Sequence, residues 1–515
     1  MTDLQIKIIQ LKIKNFQMLK INKKLNYYLV KGSAIVYALI IMSVVAILLT
    51  SILQYIVSQM KFNTNRVERE RAFQIAEAGV YYYRWYLAHV TAGMTASQLE
   101  TFWESEAPGG MKEYDEVEYK DPETQIGIGR YKIIVEKSNP QSTVVMANVT
   151  GWTYIEPEAV REIQIRFRRS SWSEYIFLSN SFLNFGNQSE VFGKVFSNNG
   201  IRFDGIAHNT VSSLLPSFND PTYGGNRQEF GVHTTVEPAD PSAPSYPWPD
   251  GTVPDQPDVF MGGRSFPMPE VSFTGVMTDL DYMKSQAQNG FGKYFDNSGL
   301  GRRINLKSDG TYNMCVVDTA QINLHTISKY KKINCNTGNV VSGTCNSCSG
   351  ECLCNYPIVN NGVIFIEDTA WIEGSINNKR LTIAAANLTG SGNEADIYIG
   401  ISNNNLRYAA YDCDNILGLV AQKDIRVLNE CPTDFIVDAA LLAQGGVVGV
   451  NDNGFSGKDS LTFNGAIASF LQPYFMHGFS GFALRVYNFD NNLLYCPPPY
   501  FPTGTEYSID LWDEL

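Results

Sequence analysis

The residues best suited to acid–base or metal chemistry in this chain are five histidines, His89, His208, His233, His325 and His477, and they are scattered with no paired spacing. No G-x-S-x-G elbow occurs, and no Gly-rich phosphate loop follows a strand-like run. No strand phrase repeats an acidic cluster on one face, as a polysaccharide lyase would require. The oxygen-rich phrases Asn451-Asp452-Asn453-Gly454 and Asp412–Asp414 offer the ligands calcium accepts. They lack the downstream bidentate Glu of an EF-hand, and Asn and Asp are common turn residues in any case. An enzyme is not expected, nor a resident metal or cofactor, calcium being the one cation with ligands at hand.

Cysteine is the other reactive type. All nine lie between Cys315 and Cys496, and five crowd into one loop, Cys335, Cys345, Cys348, Cys352 and Cys354. With Cys413 and Cys431 these are the disulfide candidates, since thiols outside the cytoplasm tend to pair. Cys345-x-x-Cys348 could begin a zinc site, but a matching second pair at longer spacing is missing. Because nine is odd, one thiol is expected to stay unpaired.

The compartment follows from the N-terminal region. From Ser33 to Met60 no residue is charged, and most are Ile, Leu, Val, Ala or Met. That run is long enough to cross a bilayer, which takes roughly 20 apolar residues. Seven lysines (Lys7, Lys12, Lys14, Lys20, Lys23, Lys24 and Lys31) precede it against a single acid, Asp3. A lysine-rich flank stays cytoplasmic, so the chain after Lys61 is expected outside. A cleaved secretory signal would have a shorter apolar core and a small-residue cleavage site after it. Here the pattern continues as a helix to about residue 90. Ala72, Ile75, Ala76, Gly79, Tyr83 and Leu87 recur at three- and four-residue steps on one face. Such a face must lie on a domain of its own chain or on neighbouring subunits.

The leader ending in Lys31-Gly32, the apolar helix starting at Ser33 and the phrase Arg71-Ala72-Phe73-Gln74-Ile75-Ala76-Glu77-Ala78-Gly79-Val80 together resemble a type IV pilin or pseudopilin precursor. The last phrase is similar to the AFQxAEAG segment of PilX-type minor pilins. The resemblance implies a prepilin peptidase that cuts between Gly32 and Ser33, residence in the inner membrane and assembly with other pilin subunits. It implies filament contacts through Tyr37, Ala72, Phe73, Ile75, Ala76 and Gly79. Major pilins of this class carry Glu at the fifth mature position, where this chain has Tyr37. That departure favours a minor or tip subunit. Met18 is an alternative start to Met1 and would give a shorter leader.

The expected fold is mainly β with a long N-terminal transmembrane and amphipathic α-helix. Residues 1–32 form the leader, 33–90 the helix and 91–172 a pilin-like β domain. In the last, a short helix at Ala96–Glu104 precedes an antiparallel sheet from Tyr131–Val135, Ser142–Val149 and Glu162–Phe167. Residues 173–515 read as a β-rich ectodomain, interrupted by a proline-rich excursion at 210–275 and the cysteine loop at 325–357. Leu419-Val420-Ala421-Gln422 and Leu441-Leu442-Ala443-Gln444 repeat at an offset of about 22 residues, and Gly465–Ser469 follows one period later. A β-solenoid-like stack is expected from this, with a β-sandwich as the alternative. Thr278–Gln288 is a further weak helix through Leu280, Met283 and Ala287.

The chain carries a formal net charge of −12, most negative beyond the leader, which disfavours nucleic-acid binding. Two functions remain open. One is a minor pilin or tip pseudopilin at the cell surface. The other is a stand-alone membrane-anchored adhesin that binds a surface glycan or another cell. Exposed aromatics such as Tyr246 and Trp248 are contact candidates for the second, or cover their own domain.

Overall fold

The computed structural model describes the chain from Ser33 onward, except residues 92–93, 95, 105–115, 137–143, 224–226, 274–275, 298–299, 321–326, 331, 334–339, 343–351, 391, 452–454 and 479. Gly32, His325, Cys335, Cys345, Cys348 and Asp452–Gly454 therefore lie outside the described residues, and the side chains of Ser33 and His477 with them. The chain separates into two compact units, Met1–Glu70 and Arg71–Leu515.

In the first unit the described structure is helix. It belongs to α1 (Ser33–Val90), which contains no proline and no glycine before Gly79. From Ile35 to Val67 every residue is exposed. This helix is long and apolar enough to cross a membrane.

The second unit begins with the C-terminal part of α1. Ala72, Ile75, Ala76, Val80, Tyr83 and Leu87 are fully buried, so the stripe read from sequence is one continuous packed face. It lies on an antiparallel sheet of β1 (Val117–Lys120), β2 (Gly127–Val135), β3 (Val144–Thr153) and β4 (Arg161–Ser171). Burial alternates along β3 and β4, putting Val145, Ala147, Val149, Ile163, Ile165 and Phe167 under the helix. Tyr83 meets Phe167 edge-on at 5.4 Å. The short helix α2 (Ala96–Glu104) closes the same core with Leu99 and Trp103.

The fifth strand of that sheet is Thr503–Glu514, antiparallel to β4. Residues 173–515 are thus not one ectodomain, because the chain returns at its end to the first sheet. Trp103 Nε1 donates to Tyr507 Oη at 2.9 Å, and Arg166 binds Asp510 at 2.8 Å. Departure and return lie side by side, with Trp172 N–H donating to the Pro502 carbonyl at 3.2 Å.

Between these points the chain builds ladders of parallel strands. In the first, Ile364, Ile383, Leu419, Leu441, Ile467, Phe177, Val195 and Val211 pair in succession and point into one core. Both repeat phrases occupy neighbouring rungs, Leu419 opposite Leu441 and Ala421 opposite Ala443, and Ala443 then faces Ser469. Parallel pairing of this kind replaces the antiparallel meander a β-sandwich would show. The intervening residues Ala384, Val420, Leu442 and Ala468 face a second core. Leu493, Phe501 and helix α3 (Val276–Gln288), through Leu280, Met283 and Ala287, cover it. Strands buried on both faces read as unbroken apolar runs, which is why phrases such as Leu381–Ala386 show no alternation.

The order of rungs is not the order of the chain. Phe177–Ser179 pairs with Ile467–Ser469, and Ser189–Phe192 with Arg485–Asn488, so the earliest strands sit on the latest. The expected excursion at 210–275 also supplies rungs. Val211–Ser213 pairs with Val195–Ser197, Arg264–Ser265 with Val211–Ser212, and Val232–His233 with Ile201–Arg202. The irregular stretch is confined to its middle, where Trp248 packs edge-on against Phe230 at 5.4 Å and Tyr246 meets Trp248 edge-on at 4.9 Å.

A further ladder runs from Arg302–Leu306 through Ala370–Gly374, Ile397–Ile399 and Ile425–Val427 to Val448–Val450, and ends at a single bridge between Gly449 and Tyr474. Leu183–Phe185, Ile201–Phe203 and Val232–His233 form a separate three-stranded sheet. No strand pairing among the described residues joins Tyr474 to Leu183. This ladder has a break where the others are continuous.

Candidate functional site

Ala72, Ile75, Ala76 and Gly79, expected as filament contacts, are buried by the chain's own sheet. A Cβ on Gly151 would lie 2.4 Å from the Ala72 carbonyl oxygen, so helix and β3 touch backbone to backbone there, and one on Gly129 would lie 2.6 Å from Ile75 Cδ1. These four residues have no surface left for a neighbour. Phe73 is half-buried against the same core, whereas Tyr37 is exposed. On the docked part of α1 the exposed large apolar side chains are Tyr81 and Trp85, one turn apart.

Of the disulfide candidates, Cys413 pairs with Cys496, Cys352 pairs with Cys315, and Cys354 is disulfide-bonded. Cys431 is a correction: its thiol is free and buried. Burial pushes its pKa up to about 12, which leaves it protonated and inert at neutral pH. Asp412, considered for calcium, is exposed, and its Oδ1 accepts from Asp414 N–H at 3.0 Å and from Asn415 Nδ2 at 2.7 Å within its own turn. Among the described residues no cluster of His, Cys, Asp and Glu has the arrangement of a metal site.

His208 and His233, scattered in sequence, each meet an acid. His208 Nε2 lies 2.8 Å from Glu190 near the surface. His233 is buried, with Nε2 3.0 Å from Asp220 and Nδ1 3.8 Å from Glu229. The other oxygen of Asp220 accepts from the hydroxyl and the amide of Thr222, both at 2.7 Å. The carboxylate, not the imidazole, receives the hydroxyl proton, the reverse of the order that activates a nucleophile. The cluster acts as a brace instead. Arg202 Nη1 reaches the Thr222 hydroxyl, and Arg202 Nε binds Asp204 at 2.7 Å.

Burial holds the His233 pKa below its ordinary 6.5, with Asp220 and Asp240 opposing the shift and Arg202 adding to it. Unfolded chain therefore takes the proton first. Stability from this group is complete above about pH 6.5 and is lost as pH falls through the lowered folded value, by about 1.4 kcal/mol for each unit separating the two. Glu229, raised by burial, titrates in the opposite sense. Denaturant midpoints measured from pH 7.5 down to 5.5 should fall less steeply in His233→Asn than in the wild type. Equal slopes would show that His233 is not the titrating group.

Thr222 also lines a cleft of about 750 Å³ that occupies the break between the bridged Tyr474 and Leu183–Phe185. The volume is within the range of small-ligand sites. Its floor is the end of the apolar core, Phe177, Phe185, Phe475 and Tyr487. Neutral polar groups surround the opening at Ser181, Asn184, Thr222 and Gln472, and Arg485 is the one charged side chain in the lining. Nothing in the sequence marked this site, because its two walls are nearly 300 residues apart and each is unremarkable alone.

No protein-family model matches the chain, and no curated protein matches it in sequence. Among solved structures it is similar to the competence-associated pilin ComZ from Thermus thermophilus, at 13% identity and a TM-score of 0.30, over 87% of this chain and 98% of that one. A likeness this loose does not establish a shared fold.

Proposed function

We propose that the chain is a minor or tip subunit of a type IV pilus or a related secretion pseudopilus, processed by prepilin peptidase between Gly32 and Ser33. The observation that carries this reading is the division of α1. Its first half is exposed without interruption from Ile35 to Val67 and carries no charge through Met60, and its second half is clamped to an antiparallel sheet. The exposed half is suited to lie first in the inner membrane and then among the helices of other subunits. Tyr37, with Tyr81 and Trp85 on the docked half, supplies the side chains for those contacts in place of the buried Ala72–Gly79 set. Tyr37 brings no negative charge to a neighbour's N-terminus, consistent with few copies per filament. The remaining structure is displayed at the cell surface.

The test is processing. Wild-type protein recovered from cells should begin at Ser33, and Gly32→Glu should keep the leader and stay in the membrane fraction. A peptidase that admits only a small residue before the cut fails on a bulky acid. Mature wild-type protein starting at Met1 or Met18, or normal surface display of Gly32→Glu, would favour the stand-alone anchored adhesin.

A further inference from the structure

Arg485 is 8% exposed. Burying a guanidinium is costly unless an acid or a full set of acceptors compensates it. Four other arginines withdrawn from solvent in the ladders each meet a carboxylate: Arg264 meets Asp240, Arg302 meets Asp296, Arg303 meets Glu373 and Arg426 meets Asp424, while Arg380 donates to the Pro497 carbonyl. Arg485 meets no carboxylate among the described residues. Nη1 donates to the carbonyls of Phe482 at 2.6 Å and Ala483 at 3.0 Å. Nε and Nη2 share one acceptor, Ser189 Oγ, at 3.4 and 3.3 Å.

Those last two contacts are at the long edge of hydrogen bonding. The Nε–Nη2 edge is the side on which arginine grips a carboxylate with two parallel bonds. Here that fork is held by a single hydroxyl, which one side-chain rotation moves aside. Its approach is open as well. A Cβ built on Gly186 would have no heavy atom within 4 Å except Arg485 Nη2, at 3.7 Å. Glycine at 186 thus leaves clear the space in front of the guanidinium.

We propose that this cleft binds a saccharide bearing a carboxylate, with Arg485 receiving the carboxylate. The charge calls for an anion, and the rest of the lining narrows its type. Asn184, Gln472, Ser181 and Thr222 supply neutral donors and acceptors for hydroxyl groups, and the half-buried ring of Tyr474 offers an apolar face to a sugar ring. Thr222 is held in place from behind by Asp220 and Arg202, so part of the wall is fixed before any ligand arrives. Phosphate would satisfy the fork but leave the apolar and amide surfaces unused. The proposal does not rest on the filament reading, and either can fail without the other.

Titration calorimetry on the full-length protein in detergent tests it, with glucuronate- and N-acetylneuraminate-terminated oligosaccharides as probes. Their neutral counterparts and inorganic phosphate serve as comparisons. An acidic probe should bind at least about tenfold more tightly than its neutral counterpart, and Arg485→Gln should abolish that preference. Gly186→Leu, placed in open space at the surface, should block the fork and weaken binding as much while leaving the unfolding midpoint unchanged. If Arg485→Gln does not fold, Gly186→Leu decides. The proposal is overturned if no acidic probe binds the wild type, if neutral sugars or phosphate bind as well as the acidic ones, or if folded Gly186→Leu binds like the wild type.

Discussion

Gly151→Val should detach the docked half of α1 from its sheet and cost more than about 4 kcal/mol, a loss outside the usual range for one substitution. Its Cβ would sit 2.4 Å from the Ala72 carbonyl oxygen, 2.6 Å from the Ala76 amide nitrogen and 3.0 Å from Ala76 Cα. All three are backbone atoms, so no rotamer change relieves the clash and the helix must lift as a body. Lifting it re-exposes Ile75, Val80, Tyr83 and Leu87, whose burial is worth roughly 1.5–3 kcal/mol each. Hydrogen exchange gives the readout. Amides over 72–87 should lose protection, while those of Ala440–Ala443, deep in the ladders, keep theirs. Gly186→Ala, whose Cβ would have only Arg485 Nη2 for company at 3.7 Å, is the matched control and should change little. Wild-type protection over 72–87 in Gly151→Val would refute the close approach.

Removing the Cys413–Cys496 disulfide should cost about 4 kcal/mol. The two residues are 83 apart, and the chain-entropy treatment gives a value of that order for so long a loop. What the bond secures is the lid over the second core. Arg380 Nη2 donates to the Pro497 carbonyl at 2.7 Å, Thr382 Oγ1 donates to that of Pro499, and Leu493 and Phe501 cover Ile416 and Val420. Cys413→Ser combined with Cys496→Ser should lower the denaturant midpoint sharply and expose residues 490–502 to protease. Cys431→Ser leaves the disulfides in place and should respond to reductant as the wild type does. A midpoint within about 1 kcal/mol of the wild type for the double variant would show that the lid holds without its bond.

The first sheet was legible because its signals are local. The stripe from Ala72 to Leu87, the alternation in Glu162–Phe167 and the helix at Ala96–Glu104 each state their own structure. The last strand escaped notice although Tyr507, Ile509 and Leu511 alternate, because a bulge between Ile509 and Leu511 leaves Leu511 exposed and turns Trp512 inward. Apolar periodicity also cannot say what will cover a face, so Ala72 and Ile75 read equally well as contacts with a neighbour or with the chain itself. In the ladders the offset between Leu419 and Leu441 was visible because those rungs are consecutive. The pairing of Phe177 with Ile467 was not, since it joins segments far apart in sequence. The candidate cleft fails to show for the same reason. Ser189 and Arg485 come together only through the parallel pairing of Ser189–Phe192 with Arg485–Asn488.

Departure at Ser171–Trp172 and return at Pro502–Thr503 have a mechanical consequence. The laddered part hangs from the helix-bearing sheet by two peptide chains side by side, stitched where Trp172 meets Pro502. A pull on the helix is shared between two tethers, and β4 resists it in shear against the returning strand along most of its length. A single linker would act as a swivel. Two parallel ones act as a hasp, which resists twisting and holds the ladders in a fixed orientation to the sheet on which the docked half of the helix lies.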